Sequence, residues 1–212
     1  IYADTGAYAS LGGPVLQRAC THAAGPYKYQ HIDVEGFAVY TNNPPAGAFR
    51  GFGVCQTSFA IESNLNLLAE KVGLSQWEIR YKNAVAPGDA LPNGQIVSKN
   101  AALKETLLAV KDAYEQADVA GISCFFKNSG IGVGLPDFGR CIISVEDGKV
   151  HVRTSAACIG QGMATVTTQV ACETLDLPPE MIMAEAPDTR RTPDSGTTTA
   201  SRQSLFTGEA TR

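Results

Sequence analysis

Apolar residues along the chain follow two rhythms, one helical and one alternating. Val54, Ile61, Leu65, Leu68 and Val72 recur at helical spacing and predict a long helix that Gly73 stops. Leu103, Leu107, Val110 and Tyr114 predict another helix, and Met163, Val166 and Val170 predict the inward stripe of a third. Ser75 and Glu78 have the spacing of a capping box for a short helix between the first two. Residues 14–24 and 203–212 are further helix candidates. Alternation appears over residues 35–41, with Phe37 and Val39 on one face, until Asn42-Asn43-Pro44-Pro45 ends it. Residues 140–145 and 150–154 are β-rich and flank Asp147-Gly148, a strong hairpin signal. Residues 181–186 form a last candidate strand, and Pro87-Gly88 and Pro92-Asn93-Gly94 read as turns. Helices and strands mix without regular βαβ alternation, so the expected fold class is α+β. The pattern changes after Ala120, which predicts two adjoining mixed subdomains, 1–118 and 119–212.

Composition narrows the function classes. The 212 residues are 44% hydrophobic and 18% charged, as expected of a globular protein with a real core. A net charge of -4 offers no broad basic surface, so no nucleic-acid partner is expected. No apolar run reaches membrane-spanning length, so no membrane partner is expected. Cys20, Cys55, Cys124, Cys141, Cys158 and Cys172 stand singly, without a CxxC. That argues against a zinc site or a disulfide framework and fits small core residues in a reducing cytoplasm. His22, His31 and His151 lack metal-ligand spacing, and no GxSxG elbow or P-loop occurs.

Three glycine-rich junctions carry the candidate chemistry. Phe49-Arg50-Gly51-Phe52-Gly53 runs directly into the long helix. A helix N-terminus presents free N–H groups, flanking glycines admit a ligand to the backbone, and Arg50 adds a planar donor fork. The same run also fits a tight turn with two core phenylalanines and a surface arginine. Gly160-Gln161-Gly162 precedes the third helix, and its amide suits either a polar heterocycle edge or a plain strand-to-helix turn. Thr197 to Gln203 offers hydroxyls and N–H groups at a helix start, suited to an anion or to a solvated cap. Gly130-Ile131-Gly132-Val133-Gly134 is a further glycine-rich strand or loop, without nucleotide-binding spacing.

Taken together, these segments resemble a known family. Gly47-Ala48-Phe49-Arg50-Gly51-Phe52-Gly53-Val54-Cys55-Gln56 is similar to the AFRGFG-x-x-Q signature of the molybdenum-binding subunit of xanthine dehydrogenase and aldehyde oxidase. Gly160 to Thr165 resembles the GQG-x-x-T motif of that family, and residues 192–201 resemble its proline-polar-TAAS segment. The run from Arg202 to Ala210 most resembles bacterial, selenium-dependent xanthine dehydrogenases.

The resemblance implies hydroxylation of purines such as xanthine or hypoxanthine, with water as the oxygen source. Aldehydes or nicotinate-like heterocycles remain as alternative substrates, and a non-catalytic scaffold or assembly paralogue as an alternative role. The implied cofactor is molybdenum–molybdopterin, with its cytosine dinucleotide form and a sulfido or selenido ligand left open. The pterin dithiolene, not a protein side chain, would hold the metal. The implied partners are 2Fe-2S and FAD domains or subunits in a cytoplasmic oligomer. Carried over by motif, Phe49, Arg50, Gly51, Gly160, Gln161, Gly162, Ala200 and Ser201 would contact the cofactor, and Phe52 and Arg18 the substrate. Cys55 and Cys158-Ile159 depart from the usual residues of the family, and Gly130 stands about where a second ring-contacting phenylalanine is expected. The chain is read as part of a longer protein, with no catalytic residue of its own. The base glutamate is expected after Arg212, Glu209 is not promoted to that role, and the 212 residues alone are expected to be inactive.

Overall fold

The computed structural model describes residues 1–132 and 136–212. The glycine run at 130–134 is therefore described only to Gly132, where it is irregular. The chain forms two compact units, Ile1–Lys127 and Asn128–Arg212. Helices and small sheets mix in both, an α+β fold.

In the first unit, β1 (Tyr2–Gly6) and β2 (Phe37–Tyr40) pair in parallel, joined through α1 (Gly12–His22). The β1 strand carries no alternating apolar pattern, and its pairing gives it away only in three dimensions. All four residues of β2 are exposed, including Phe37 and Val39. The long helix is α2 (Val54–Val72), ended by Gly73 at φ +70, whose N–H reaches the carbonyls of Ala69 and Glu70. Its buried face is Val54, Thr57, Glu62, Leu65 and Ala69. Leu68 and Val72, expected inside, are 47% and 54% exposed. The face turns toward Glu62 because that carboxylate pairs with Arg80 at 2.7 Å, and Arg80 is fully buried on α3 (Gln76–Asn83). The capping box of Ser75 and Glu78 opens α3 as expected. The expected helix from Leu103 to Tyr114 is two helices, α4 (Leu103–Ala109) and α5 (Lys111–Gln116). Val110 breaks them at φ −102, ψ −1, and is 46% exposed rather than inward. Tyr27, Leu65, Ala69, Trp77, Ile79 and Leu107 form the core of this unit together with Cys124.

In the second unit, β3 (Ile142–Glu146) and β4 (Lys149–Arg153) form the expected hairpin. Asp147 and Gly148 both take positive φ, +49 and +75, the turn that matches strand twist. Beside β4 lies β5 (Ile182–Ala184), in parallel, reached through α6 (Met163–Leu175). The α6 helix buries Met163, Thr167 and Ala171, so Val166 and Val170 flank the inward stripe instead of forming it. Val150, Val152, Ala171 and Ile182 make the small core, and α7 (Gln203–Thr211) closes the chain. All six cysteines are free, but only Cys124 is buried, and Cys55 and Cys158 are exposed.

Each unit thus contains one strand–helix–strand crossover between parallel strands. In the second unit the connection from β4 to α6 leaves the carboxyl end of a parallel strand and enters a helix N-terminus, the usual place for a ligand in such units.

Candidate cofactor-binding site

In the first unit, Gly51, Phe52 and Gly53 take left-handed φ values of +94, +51 and +96 in succession, immediately before α2. Sterics demand both glycines. A Cβ at Gly51 would overlap the Cys55 thiol, and one at Gly53 would overlap the carbonyl oxygen of Val15 on α1. The Phe52 N–H closes the turn onto the carbonyl of Phe49 at 2.8 Å. Phe49 is 87% exposed, which removes the alternative of two core phenylalanines, whereas Phe52 is half-buried and Arg50 exposed. Arg18 sits on α1 in the turn against which Gly53 packs, and is 9% exposed. Burial lowers its pKa. Lys127 is half-buried, and burial together with the charge of Arg18 lowers its pKa. Arg18 and the loop bearing Phe52 therefore gather on one side of this unit.

In the second unit, two of the sequence motifs are stitched together. Ser195 is fully buried. Its hydroxyl bonds Thr154 Oγ1 at 2.7 Å, accepts the Ser155 N–H at 3.1 Å and donates to the Arg140 carbonyl at 2.7 Å. Its own N–H donates to Ser155 Oγ at 2.7 Å. Thr198 Oγ1 accepts the Ala157 N–H at 3.0 Å and the Gln203 amide at 2.8 Å. The connection from β4 to α6 and the run before α7 are thereby neighbours.

Gly160 and Gly162 take φ of +103 and +78, and a Cβ at either would meet nothing within 4 Å. Their backbone is open to approach. The Gln161 side chain is used within its own loop: its amide donates to the Ala157 carbonyl at 3.0 Å, and its oxygen accepts the Ile159 N–H at 2.6 Å. Backbone N–H groups of Met163, Gly160, Gly162 and Gln161 converge on the Cys158 sulfur and hold that thiol below its ordinary pKa.

Ala200 and Ser201 take positive φ, +51 and +55, and the Ala200 carbonyl accepts the Gly130 N–H at 3.0 Å. Next to them Arg202, 1% exposed, pairs with Asp137 and donates to the carbonyls of Phe138, Ser195 (3.1 Å) and Thr197 (2.9 Å). A cavity of about 420 Å³ opens here, lined by Ile131, Phe138, Asp194, Thr197 and Arg202. Sequence reasoning took Thr198 and Arg202 only as part of the candidate run 197–203 and Ser195 only as part of the 192–201 segment, and it singled out neither Asp137 nor Lys127. Only the buried partners of these residues reveal their roles.

His151, Glu146 and Glu185 also lie together, with His151 Nδ1 2.7 Å from Glu185. Arg153 pairs with both carboxylates at 2.6 Å and Arg191 with Glu185 at 3.1 Å, so this is an ion-pair network on the sheet. The chemistry offered by the loops is different. It consists of left-handed turns with open backbone at Gly160 and Gly162 and of N–H groups at the start of α6, which here surround the Cys158 thiol, a setting suited to an oxygen-rich anionic ligand.

Known proteins bear on which ligand. The molybdopterin cofactor-binding domain family matches the chain twice, over residues 1–84 and 98–212. A Bacillus subtilis protein, named as one subunit of a probable xanthine dehydrogenase, is 36% identical over 215 residues, covering 95% of this chain and 29% of that protein. The nicotinate dehydrogenase large molybdopterin subunit of Eubacterium barkeri is 46% identical over 107 residues, covering 50% of this chain and 25% of that protein. The solved aldehyde oxidoreductase from Desulfovibrio gigas superposes with a TM-score of 0.83 at 30% identity, covering 99% of this chain and 25% of that one. The chain thus spans less than a third of the length of each of these proteins. With both halves matched in order and the fold shared, the chain belongs to the molybdopterin-binding region of the xanthine dehydrogenase and aldehyde oxidase family.

Proposed function

We propose that these residues hold a molybdenum–molybdopterin cofactor within a longer molybdenum hydroxylase acting on purines such as xanthine or hypoxanthine. The observation that carries this reading is the stitching of the Gly160–Gly162 connection to the run ending at Ala200 and Ser201 through Ser195 and Thr198. Two ligand-approachable backbones on one unit suit a single extended anionic group better than two unrelated turns. Gly160, Gln161, Gly162, Ala200 and Ser201, with Phe49, Arg50 and Gly51, would contact the cofactor. When bound, that group supplies hydroxylation with water and an exit for electrons toward 2Fe-2S and FAD domains or subunits. Arg18 would orient the substrate and favour negative charge building on its ring, and Phe52 would offer a stacking face. A cytoplasmic location and an oligomer with those partners complete the proposal.

A second reading is hydroxylation of a nicotinate-like ring, favoured by the 46% identity to the Eubacterium barkeri subunit over half the chain. The full-length protein, expressed with molybdate, should contain molybdenum and pterin and oxidise xanthine with an artificial acceptor. A folded, mature preparation with neither component would overturn the cofactor reading. One that carries both but oxidises nicotinate and not xanthine would select the second.

A further inference from the structure

Ala200 and Ser201 are two successive non-glycine residues in the left-handed region. Residues with a Cβ adopt that conformation where their surroundings impose it, and alanine has no polar side chain to favour it locally. The turn therefore carries strain that its neighbours must offset.

The constraint comes from Arg202. Its backbone N–H donates to the Thr199 carbonyl at 3.1 Å and closes the turn. Its guanidinium reaches back past the turn to the carbonyls of Ser195 and Thr197, and across to Asp137 and the Phe138 carbonyl. Asp137 uses its other oxygen to accept the Ile131 N–H at 2.7 Å, and the adjacent Gly130 N–H donates to the Ala200 carbonyl at 3.0 Å. These bonds close a ring from Arg202 to Asp137, on to residues 130 and 131, and back to the strained turn. The Phe206 ring, one turn along α7, lies 5.2 Å from the guanidinium. Two glycines keep side chains out of this ring. A Cβ at Gly139 would overlap the Phe206 carbonyl oxygen, and one at Gly196 would crowd the Arg202 guanidinium.

Arg202 and the Asp137 side chain are both nearly shut off from water. A buried ion pair adds little net stability, since apolar packing of similar volume often does as well. What the pair supplies is geometry, because the planar fork points its donors in fixed directions. Ser201 is exposed, so the shape held by the fork is presented outward.

We infer that Arg202, paired with Asp137, is a positioning residue: it holds the Ala200–Ser201 turn, before any ligand arrives, in the left-handed form in which the turn contacts the cofactor. It acts through the turn and need not touch the cofactor itself. The inference rests on the cofactor reading proposed above.

The test uses the full-length protein. Arg202→Lys keeps the charge and loses the fork, and Arg202→Met combined with Asp137→Leu removes the pair without stranding a buried charge. In cofactor-free protein both variants should fold, and the amides of residues 130 and 202 should exchange hydrogen faster than in wild type. After expression with molybdate, the pterin and molybdenum retained through exhaustive dialysis should fall roughly tenfold, as for a turn preformed about a tenth of the time. Adding Ala200→Gly to either variant should restore most of that retention, because glycine takes positive φ without support and only a methyl group is lost. A merely structural role of the pair does not predict this rescue. Unchanged exchange, normal retention in both variants, a loss that Ala200→Gly leaves untouched, or failure of both variants to fold would overturn the inference. A wild type holding neither pterin nor molybdenum would take down the cofactor reading and this inference together. A loaded wild type with equally loaded variants would sink this inference alone.

Discussion

Thr198 accepts the backbone N–H of Ala157 across 41 residues of sequence, and the same hydroxyl accepts from Gln203. One oxygen therefore joins the loop before α6 to the first residue of α7. Thr198→Val keeps the shape and removes the acceptor. Stability should fall by about 1–2 kcal/mol in chemical denaturation, with pterin retention in the full-length protein falling further than that loss explains. An unchanged midpoint would mean that the two segments are held together by other contacts.

Gln161 should matter to the ligand more than to the fold. Both its side-chain bonds lie inside an exposed loop, to Ala157 and Ile159, where water replaces them readily. Gln161→Ala should cost under about 1 kcal/mol of stability while molybdenum and pterin content drop. A large stability loss with normal cofactor content would favour the plain-turn reading of the motif.

Arg80 and Glu62 should behave in the opposite way. Arg80 is fully buried, its Nε sits 2.7 Å from Glu62, and Tyr27 donates to the same carboxylate. Removing the cation strands a buried negative charge. Arg80→Met should therefore destabilise the first unit by about 3–5 kcal/mol. Thermal melts of the single variant and of Arg80→Met with Glu62→Leu are the check. The double variant should recover part of the loss.

Cys158 should be the first cysteine to react with iodoacetamide near neutral pH. Four backbone N–H groups favour its thiolate, whereas burial pushes the Cys124 and Cys141 thiols up. Peptide mapping after brief labelling across a pH series gives the order. If Cys124 or Cys141 were labelled first, the N–H groups at the start of α6 would not be directed at the sulfur.

The ion-pair network on the second sheet sets an acid limit. Arg153 holds Glu185, and Ser144 together with Arg153 holds Glu146, below the ordinary value of 4.5. As pH falls, the unfolded chain takes up these protons first. The stability they contribute is present above about pH 4.5 and is lost as pH drops through the lower folded-state values. Glu185→Gln should flatten that part of the melting-temperature profile. An unchanged slope would show that other carboxylates dominate acid unfolding.

Much of this architecture was legible because it depends on local rules. Gly73, the Ser75–Glu78 box and Asp147-Gly148 each act over a few residues, and each appears where the sequence places it. The rotation of α2 was not legible, because a stripe of apolar residues cannot show that Glu62 faces inward toward an arginine on another helix. Nor was the break at Val110, since Leu103, Leu107, Val110 and Tyr114 keep helical spacing straight across it. At the candidate site, the glycine junctions stood out by composition. The individual roles of Ser195, Thr198 and Arg202 within their runs did not, because a buried polar hub and a solvated polar run have the same composition, and only bonds spanning up to 65 residues separate them.

The parallel pair of β1 and β2 has a practical consequence. Among the described residues neither strand has a second neighbour, so each keeps one ragged row of backbone donors and acceptors. Tyr2, Phe37, Val39 and Tyr40 lie exposed along that ribbon, with Tyr2 stacked on Phe37 at 5.0 Å. Such an edge is a template for another copy of itself. Whoever handles these 212 residues alone should meet concentration-dependent clumping that starts at this ribbon, and a lysine in place of Val39 should raise the concentration at which it begins.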